Sequence, residues 1–504
     1  MIKMILKNKT RIGFIFIIYF MTTNYKFFKL QLFKIFFNLY NKTKYGKKDI
    51  QKRIETAKSI IIKQVKSKTY KNNFKDIPDV GFKPNLLEKI IENRKSIINN
   101  KVSGGIYINN AELENLLKKA CSEYLFSNPL HPDLYPELIK MESEIIEMVG
   151  RIYNMPKVGG GNLTTGGTES TILALKAYKK NFIKNSKLNY LTKGFFYPEV
   201  LCTKTVHAAV NKACELLDLK MVIVDLNKSY VMCIDDLKRK ISWKTCVIVA
   251  SAPCFPYGLM DPIKNICNIA NNYNVKVHVD ACLGGFITQF GENKLDFDQG
   301  FHSVSIDPHK FGYSPKGSSV LLWNNKELKH NQYSIVSDWT GGIYASCSLP
   351  GSRMGLPIIG TWIAILNNGK KTYSYWSNKI KEKTVLFASR LKNIKGYKVF
   401  GNPNVNVVAF THDSISISEI CDTITKNDWN LNVLQNPLCL HICITPKNID
   451  MVDKLLEILE SIKPNKKTKK SNNMVAIYGM AAKLPDKTII KQLVNYYLDL
   501  TTNV

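Results

Sequence analysis

Apolar positions along this chain follow two patterns, and the change from one to the other gives the first structural reading. Across positions 135–153 they recur three and four residues apart, with Leu138, Ile145, Val149 and Ile152 on one face, which predicts an amphipathic helix. From about Gly159 onward, short β-rich runs at 221–224, 247–250, 275–279, 303–306 and 320–323 alternate with helical stretches. Such alternation predicts an α/β fold with a mainly parallel central sheet flanked by helices. After Tyr375 a smaller α+β portion follows, with strand-like runs at 405–410 and 440–444, and no internal repeat is visible. The expected division is an anchoring segment over 1–45, a helical segment and linker over 46–150, a large domain over 151–375 and a small C-terminal domain over 376–504.

The N-terminal pattern is different. Residues 12–25 carry no charge, and 12–21 are almost wholly apolar. That is short of the roughly 20 residues a spanning helix needs, and no small-residue cleavage site follows. Five phenylalanines over 27–40 are broken by Lys29 and Lys34, whose stems can snorkel to lipid headgroups. The expectation is an uncleaved membrane anchor, either a short span or an interfacial helix. Charge sharpens this reading. The 504-residue chain carries a formal +31, and residues 1–70 alone hold 17 Lys and Arg against Asp49 and Glu55. A front-loaded basic balance suits an anionic membrane surface, with the body in the cytosol. The basic stretches match no nucleic-acid-binding motif, so no nucleic-acid partner is expected. Twelve scattered cysteines with no C-x-x-C pair imply free thiols and a reducing compartment. Cys439, His441 and Cys443 share one face of a strand and read as buried structural residues rather than a metal site.

Several residues carry chemistry. The run Gly159-Gly160-Gly161-Asn162-Leu163-Thr164-Thr165-Gly166-Gly167-Thr168-Glu169-Ser170 enters a helix near Glu169, where backbone N–H groups can approach an anion and Thr168 can cap. It is neither a Walker loop nor a Rossmann fingerprint. His207 opens an apolar helix. His278-Val279-Asp280-Ala281-Cys282 ends a strand, where ligands gather in open α/β sheets. With no third ligand near His278 and Asp280, a carboxylate for a ring nitrogen explains Asp280 better than a metal does. Lys310, in Ser305-Ile306-Asp307-Pro308-His309-Lys310-Phe311-Gly312-Tyr313, follows an apolar strand and is the candidate Schiff-base lysine. An amine for an imine and an acid for a protonated pyridine together point to pyridoxal 5'-phosphate.

At these residues the chain resembles the group II pyridoxal-phosphate-dependent decarboxylase-like family from about Tyr107 to its end. The matching stretches are Ser127-Asn128-Pro129-Leu130-His131-Pro132, Thr165-Gly166-Gly167-Thr168-Glu169-Ser170, Ser251-Ala252-Pro253, Asp280-Ala281-Cys282-Leu283-Gly284-Gly285-Phe286 and His309-Lys310. Gly341-Gly342-Ile343-Tyr344-Ala345-Ser346, Gly351-Ser352-Arg353 and Ala476-Ile477-Tyr478-Gly479-Met480-Ala481 single out its lyase branch.

The resemblance implies a fold-type I homodimer with active sites at the subunit interface, resident at the endoplasmic reticulum membrane and facing the cytosol. It implies that Lys310 links to the cofactor, Asp280 pairs the pyridinium and His207 stacks on the ring. Ala281 would lie against that ring. Gly167, Thr168 and His309 would contact the cofactor phosphate, and Ser352 would reach that of the partner subunit. Tyr107, His131 and Lys316 would handle the substrate phosphate and proton transfer, and Tyr478 would close over the site. The implied reaction is retro-aldol cleavage of a phosphorylated long-chain base into an aldehyde and phosphoethanolamine. The rivals are an amino-acid decarboxylase of the same fold and a non-catalytic membrane scaffold. Departures from the family pattern are Pro308, Thr165, Cys347-Ser348 and Met354, none at a proposed catalytic group.

Overall fold

The computed structural model describes residues 51–52, 54–59, 83–93, 99–185, 197–291, 294–463 and 488–502, with isolated positions at 43, 45, 48, 62 and 78. One compact body comprises 99–434 and 439–465. It opens with helices α1 (Ala111–Glu123) and α2 (Pro136–Ile152). Asn110 caps α1 by accepting from the Leu113 N–H, and Pro136 starts α2 where its missing N–H costs nothing. Leu138, Ile145 and Val149 are buried along one face of α2, as the apolar spacing predicts.

Seven strands form the main sheet: β1 (Gly160–Thr164), β2 (Glu199–Thr203), β3 (Lys220–Val224), β4 (Thr245–Ser251), β5 (Lys276–Asp280), β6 (Ser303–Ile306) and β7 (Ser319–Trp323). Their spatial order is β1-β7-β6-β5-β4-β2-β3. The pairs from β3 to β6 are parallel, whereas β7 runs antiparallel to both its neighbours. The sheet is therefore mixed, with one reversed strand. Helices α4 (Ala208–Leu216) and α6 (Ile263–Asn272) supply the crossovers between the parallel neighbours β2/β3 and β4/β5, while α3 (Gly167–Asn185) and α5 (Ile234–Lys240) join strands that are not adjacent in the sheet. Every residue of β2, β4, β6 and β7 is buried, as strands covered on both faces demand.

An exposed hairpin follows, β8 (Ser334–Trp339) with β9 (Gly342–Ser346). Helix α7 (Leu356–Asn393) then leads to an antiparallel sheet in the order β10-β11-β13-β12, with β10 at Tyr397–Val399, β11 at Val407–His412, β12 at Asn432–Leu434 and β13 at Cys439–Cys443. Helices α8 (Ile417–Lys426) and α9 (Val452–Ser461) accompany this smaller sheet. Helix α7 is broken at Gly369, whose φ of 60° and ψ of 175° are not helical. The expected boundary at 375/376 falls inside α7. The helices Pro84–Asn93 and Thr488–Thr502 belong to a separate compact unit. The expected anchor, apart from Thr43 and Tyr45, lies outside the described residues, as does Tyr478. Among the described residues no helix is long and apolar enough to cross a membrane.

Candidate active site

Three neighbouring strands end together. The register places Ser251 of β4 beside Asp280 of β5, and Asp280 beside Ser305 of β6. The chain leaving β6 turns at Asp307–Lys310, with the Lys310 N–H donating to the Asp307 carbonyl at 3.0 Å. These ends and the start of α3 enclose a cavity of about 310 Å³, within the range of small-molecule sites. Gly167, Thr168, His207, Asp280, His309 and Lys310 all line it. The proposed amine and ring carboxylate thus face one cavity.

Asp307, to which the sequence alone assigns no role, also lines this cavity and organises its charged groups. Its Oδ2 lies 2.9 Å from the Lys310 Nζ and 3.4 Å from the His309 Nε2. Burial alone would raise the Asp307 carboxyl, but Lys310 and then His309 hold it below its ordinary value. Burial would likewise lower the Lys310 ammonium; Asp307, ahead of Cys282 and Tyr107, reverses this and leaves it raised. The proton therefore rests on Lys310. Burial keeps the His309 imidazole below its usual value, with Nδ1 accepting from the Ser318 N–H at 3.2 Å. Asp307 Oδ1 is buried and has no hydrogen-bond partner among the described residues. Gly167 is glycine for a physical reason: a Cβ there would lie 2.6 Å from the Cys282 Sγ and 3.0 Å from Asp307 Oδ2.

Behind the cavity, His278 is wholly buried and pushed down to about 4 by that burial. Its Nδ1 and Nε2 lie 2.8 Å and 3.3 Å from the hydroxyls of Ser303 and Ser305. Both nitrogens are therefore engaged by serines. Asp280 accepts from the Cys282 N–H at 3.1 Å through one oxygen. His441 is similarly engaged, by the Pro256 carbonyl and Asn432, each at 2.9 Å.

Two buried glutamates brace the surrounding loops. Glu169 Oε2 accepts from the N–H and hydroxyl of Thr165 at 2.7 and 2.6 Å, while Oε1 accepts from the Leu349 N–H at 2.8 Å. Glu142 receives the Arg353 guanidinium on both oxygens at 3.0 and 2.8 Å, and Asn128 accepts from the Arg353 N–H at 3.1 Å. The segment bearing Ser352 is thus clipped to α2 and to the start of α3. Thr168 is not the expected cap, because α3 already begins at Gly167. The cap function at this end falls to Glu169 folding back on Thr165.

The remaining expected residues lie outside the cavity lining. Tyr107 packs edge-on against Phe311 at 4.9 Å, and the Lys316 Nζ sits 4.6 Å over the Tyr107 ring, so both abut the lysine turn. Burial, ahead of repulsion from Lys310, lowers the Lys316 ammonium. Ala281 is buried, donating its N–H to the Ser305 carbonyl at 2.9 Å. His131 and Ser352 are exposed. A Cβ on Gly284 would collide with Pro253, and one on Gly285 would lie 2.7 Å from the Tyr153 hydroxyl.

A sequence profile described as the pyridoxal-dependent decarboxylase conserved domain matches residues 72–413. The glutamate decarboxylase of Lactobacillus brevis superposes with a TM-score of 0.69 at 19% identity, covering 79% of this chain and 96% of its own, a likeness of fold. Sheet, cavity and profile together define a pyridoxal-dependent enzyme of the decarboxylase type. Sphingosine-1-phosphate lyase from Dictyostelium discoideum is 36% identical, the match covering 90% of this chain and 87% of that protein. Sphingosine-1-phosphate lyase 1 from Mus musculus is 34% identical over 94% and 84% of the two chains. The solved Burkholderia pseudomallei sphingosine-1-phosphate lyase superposes with a TM-score of 0.75 at 28% identity, covering 86% of this chain and 98% of its own. The chain belongs to the sphingosine-1-phosphate lyase family.

The residues present fit pyridoxal phosphate. One cavity offers a lysine amine, a strand-end carboxylate and the glycine-bearing N-terminus of a 19-residue helix, which favours a phosphate.

Proposed function

We propose that this protein cleaves phosphorylated sphingoid bases between C2 and C3, releasing a long-chain aldehyde and phosphoethanolamine. The observation that carries this reading is the convergence of Lys310 and Asp280 on one cavity in a chain of this family. When bound, the cofactor supplies an electron sink for the bond broken beside the substrate amine. Lys310 is the residue that would hold it covalently, and Asp280 the one that would keep its ring nitrogen protonated. Gly167, Thr168 and His309 would receive its phosphate, while His207 would cover one face of the ring. Asp307 orients the Lys310 amine and keeps its proton at hand. Lys316, with Tyr107 beneath it, offers a cation for the substrate phosphate next to the lysine turn.

The assembly we infer is a homodimer. Ser352 is exposed on a segment braced by Arg353 and Glu142, and Ile335, Trp339 and Ile343 of the preceding hairpin are exposed apolar residues. A second subunit would cover that hairpin and receive Ser352 at its cofactor phosphate, and it would bring His131 to the neighbouring site. The apolar, basic N-terminus would hold the enzyme on the endoplasmic reticulum membrane, where an amphiphilic substrate resides, with the body in the reducing cytosol. All twelve cysteines are free, which suits that compartment. Tyr478 retains its proposed role as a closing residue.

The test is a product assay. Purified protein supplied with pyridoxal phosphate and a phosphorylated sphingoid base should yield aldehyde and phosphoethanolamine in equal amounts, and Lys310→Ala should yield neither. Carbon dioxide from an amino acid, with no aldehyde from the lipid, would transfer the assignment to a decarboxylase.

A further inference from the structure

A second cavity, of about 610 Å³, lies in the same body and shares no lining residue with the first. Val149, Phe286, Phe290 and Tyr373 give it an apolar, largely aromatic wall, and Lys294 and Lys370 stand at its edge. Arg151 also lines it but is occupied by Glu147 at 2.7 Å. Among the described residues neither lysine has a carboxylate partner, so both can face an anionic ligand. The break at Gly369 adds to this, because Lys370, Tyr373 and Ser374, in the first turn of the second limb of α7, line the cavity.

An apolar, aromatic wall and two lysines lining one cavity match one ligand chemistry. We propose that this cavity binds a single-chain amphiphile with an anionic head, its alkyl chain along the aromatic wall and its head between Lys294 and Lys370. The volume suits a ligand of that size. Charge selects the head: a carboxylate or phosphate is stabilised there, and an ammonium is repelled.

Occupancy has a route to the catalytic lysine. Tyr373 stacks on Phe290 at 5.1 Å and on Tyr313 at 5.8 Å, and its hydroxyl lies 3.0 Å from the Gly312 carbonyl, to which it donates. Gly312 and Tyr313 belong to the turn that carries Lys310, and Tyr313 has a φ of 59°, a conformation that needs support from its surroundings. A chain lying against Tyr373 therefore bears on that turn.

The experiment uses the full-length holoenzyme with hexadecanoate, hexadecyl phosphate and hexadecylamine, each below its micellar concentration, in equilibrium dialysis. Saturable binding of one anionic amphiphile per chain is expected, and the tighter of the two anions identifies carboxylate or phosphate as the preferred head. The Lys294→Glu/Lys370→Glu double variant should bind at least about tenfold more weakly. Ser374→Trp, which fills the cavity, and Leu366→Asp, at an exposed lining position, should each remove binding while retaining the cofactor absorbance. In the wild type the bound ligand should slow amide hydrogen exchange at Gly312 and Tyr313, and Tyr373→Phe should weaken that effect. Hexadecylamine binding as tightly as hexadecanoate would overturn the proposal. So would binding that survives both Ser374→Trp and Leu366→Asp, which would put the ligand elsewhere. Failure of the lyase assay would leave this result untouched, since dialysis reads binding alone.

Discussion

Replacing Asp307 with asparagine tests the electrostatic core of the site most directly. The carboxylate lies 2.9 Å from the Lys310 Nζ, with the two side chains 2% and 23% exposed. At an effective dielectric of about 20, the Coulomb attraction at that separation is about 6 kcal/mol. Desolvation of both groups and the partial solvent contact of Lys310 consume roughly half of it, leaving about 3 kcal/mol, in line with breaking one partner of a buried pair. Asp307→Asn keeps the shape and removes the charge, so the cofactor-free protein should lose about 3 kcal/mol in a urea titration. A second readout separates electrostatics from packing. Lys310 must shed its proton to bond the cofactor, and Asp307 holds that proton on. Without Asp307, burial dominates and lowers the ammonium. The pH profile for cofactor uptake, followed by absorbance, should then move to lower pH. An unchanged profile together with unchanged stability would refute the account of Asp307 as the proton-holding partner of Lys310.

Other perturbations give distinct readouts. Arg353→Ala strands Glu142 in a buried position and should cost about 3 kcal/mol by urea titration, and cofactor affinity should also fall although neither residue lines the cavity. Gly167→Ala puts a methyl group against Cys282 and Asp307, and a spectroscopic titration should show weak or absent cofactor binding with the fold retained by circular dichroism. His278, His302 and His441 are each pushed down to about 4 by burial, so they stay neutral in the fold but protonate near 6.5 when unfolded. Their contribution is intact above pH 6.5 and is lost as pH falls toward 4, by about 1.4 kcal/mol per pH unit per histidine. Urea midpoints measured from pH 7.5 to 5 should fall accordingly, and a flat profile would contradict the burial assigned to them.

Asp280 and Lys310 could be read from the sequence because each follows an apolar run whose end is a site of ligand binding in this fold class. The strands at 220–224, 245–251, 276–280, 303–306 and 319–323 were legible because strands of a sheet flanked by helices have nearly continuous apolar composition, the antiparallel β7 included. β1 was hidden because Gly160-Gly161-Asn162-Leu163-Thr164 looks like loop. Its glycine content is a packing requirement, since a Cβ on Gly161 would sit 2.8 Å from the Leu321 carbonyl of β7. Glu142 and Glu169 were also missed. A glutamate in a helix normally marks the solvated face, and what buries these two arrives from 211 and 180 residues away. No local pattern encodes such a partner. Asp307 stood inside a recognised motif, yet only the turn geometry shows that it grips both His309 and Lys310.

One carboxylate, Glu169, touches the Thr165 amide with one oxygen and the Leu349 amide with the other. Displacement of the 346–354 stretch is thereby transmitted to the rim of the main cavity without crossing its interior. A genetic screen for variants that shed their prosthetic group should consequently recover substitutions in this stretch that act through Glu169, as well as substitutions in the cavity lining itself.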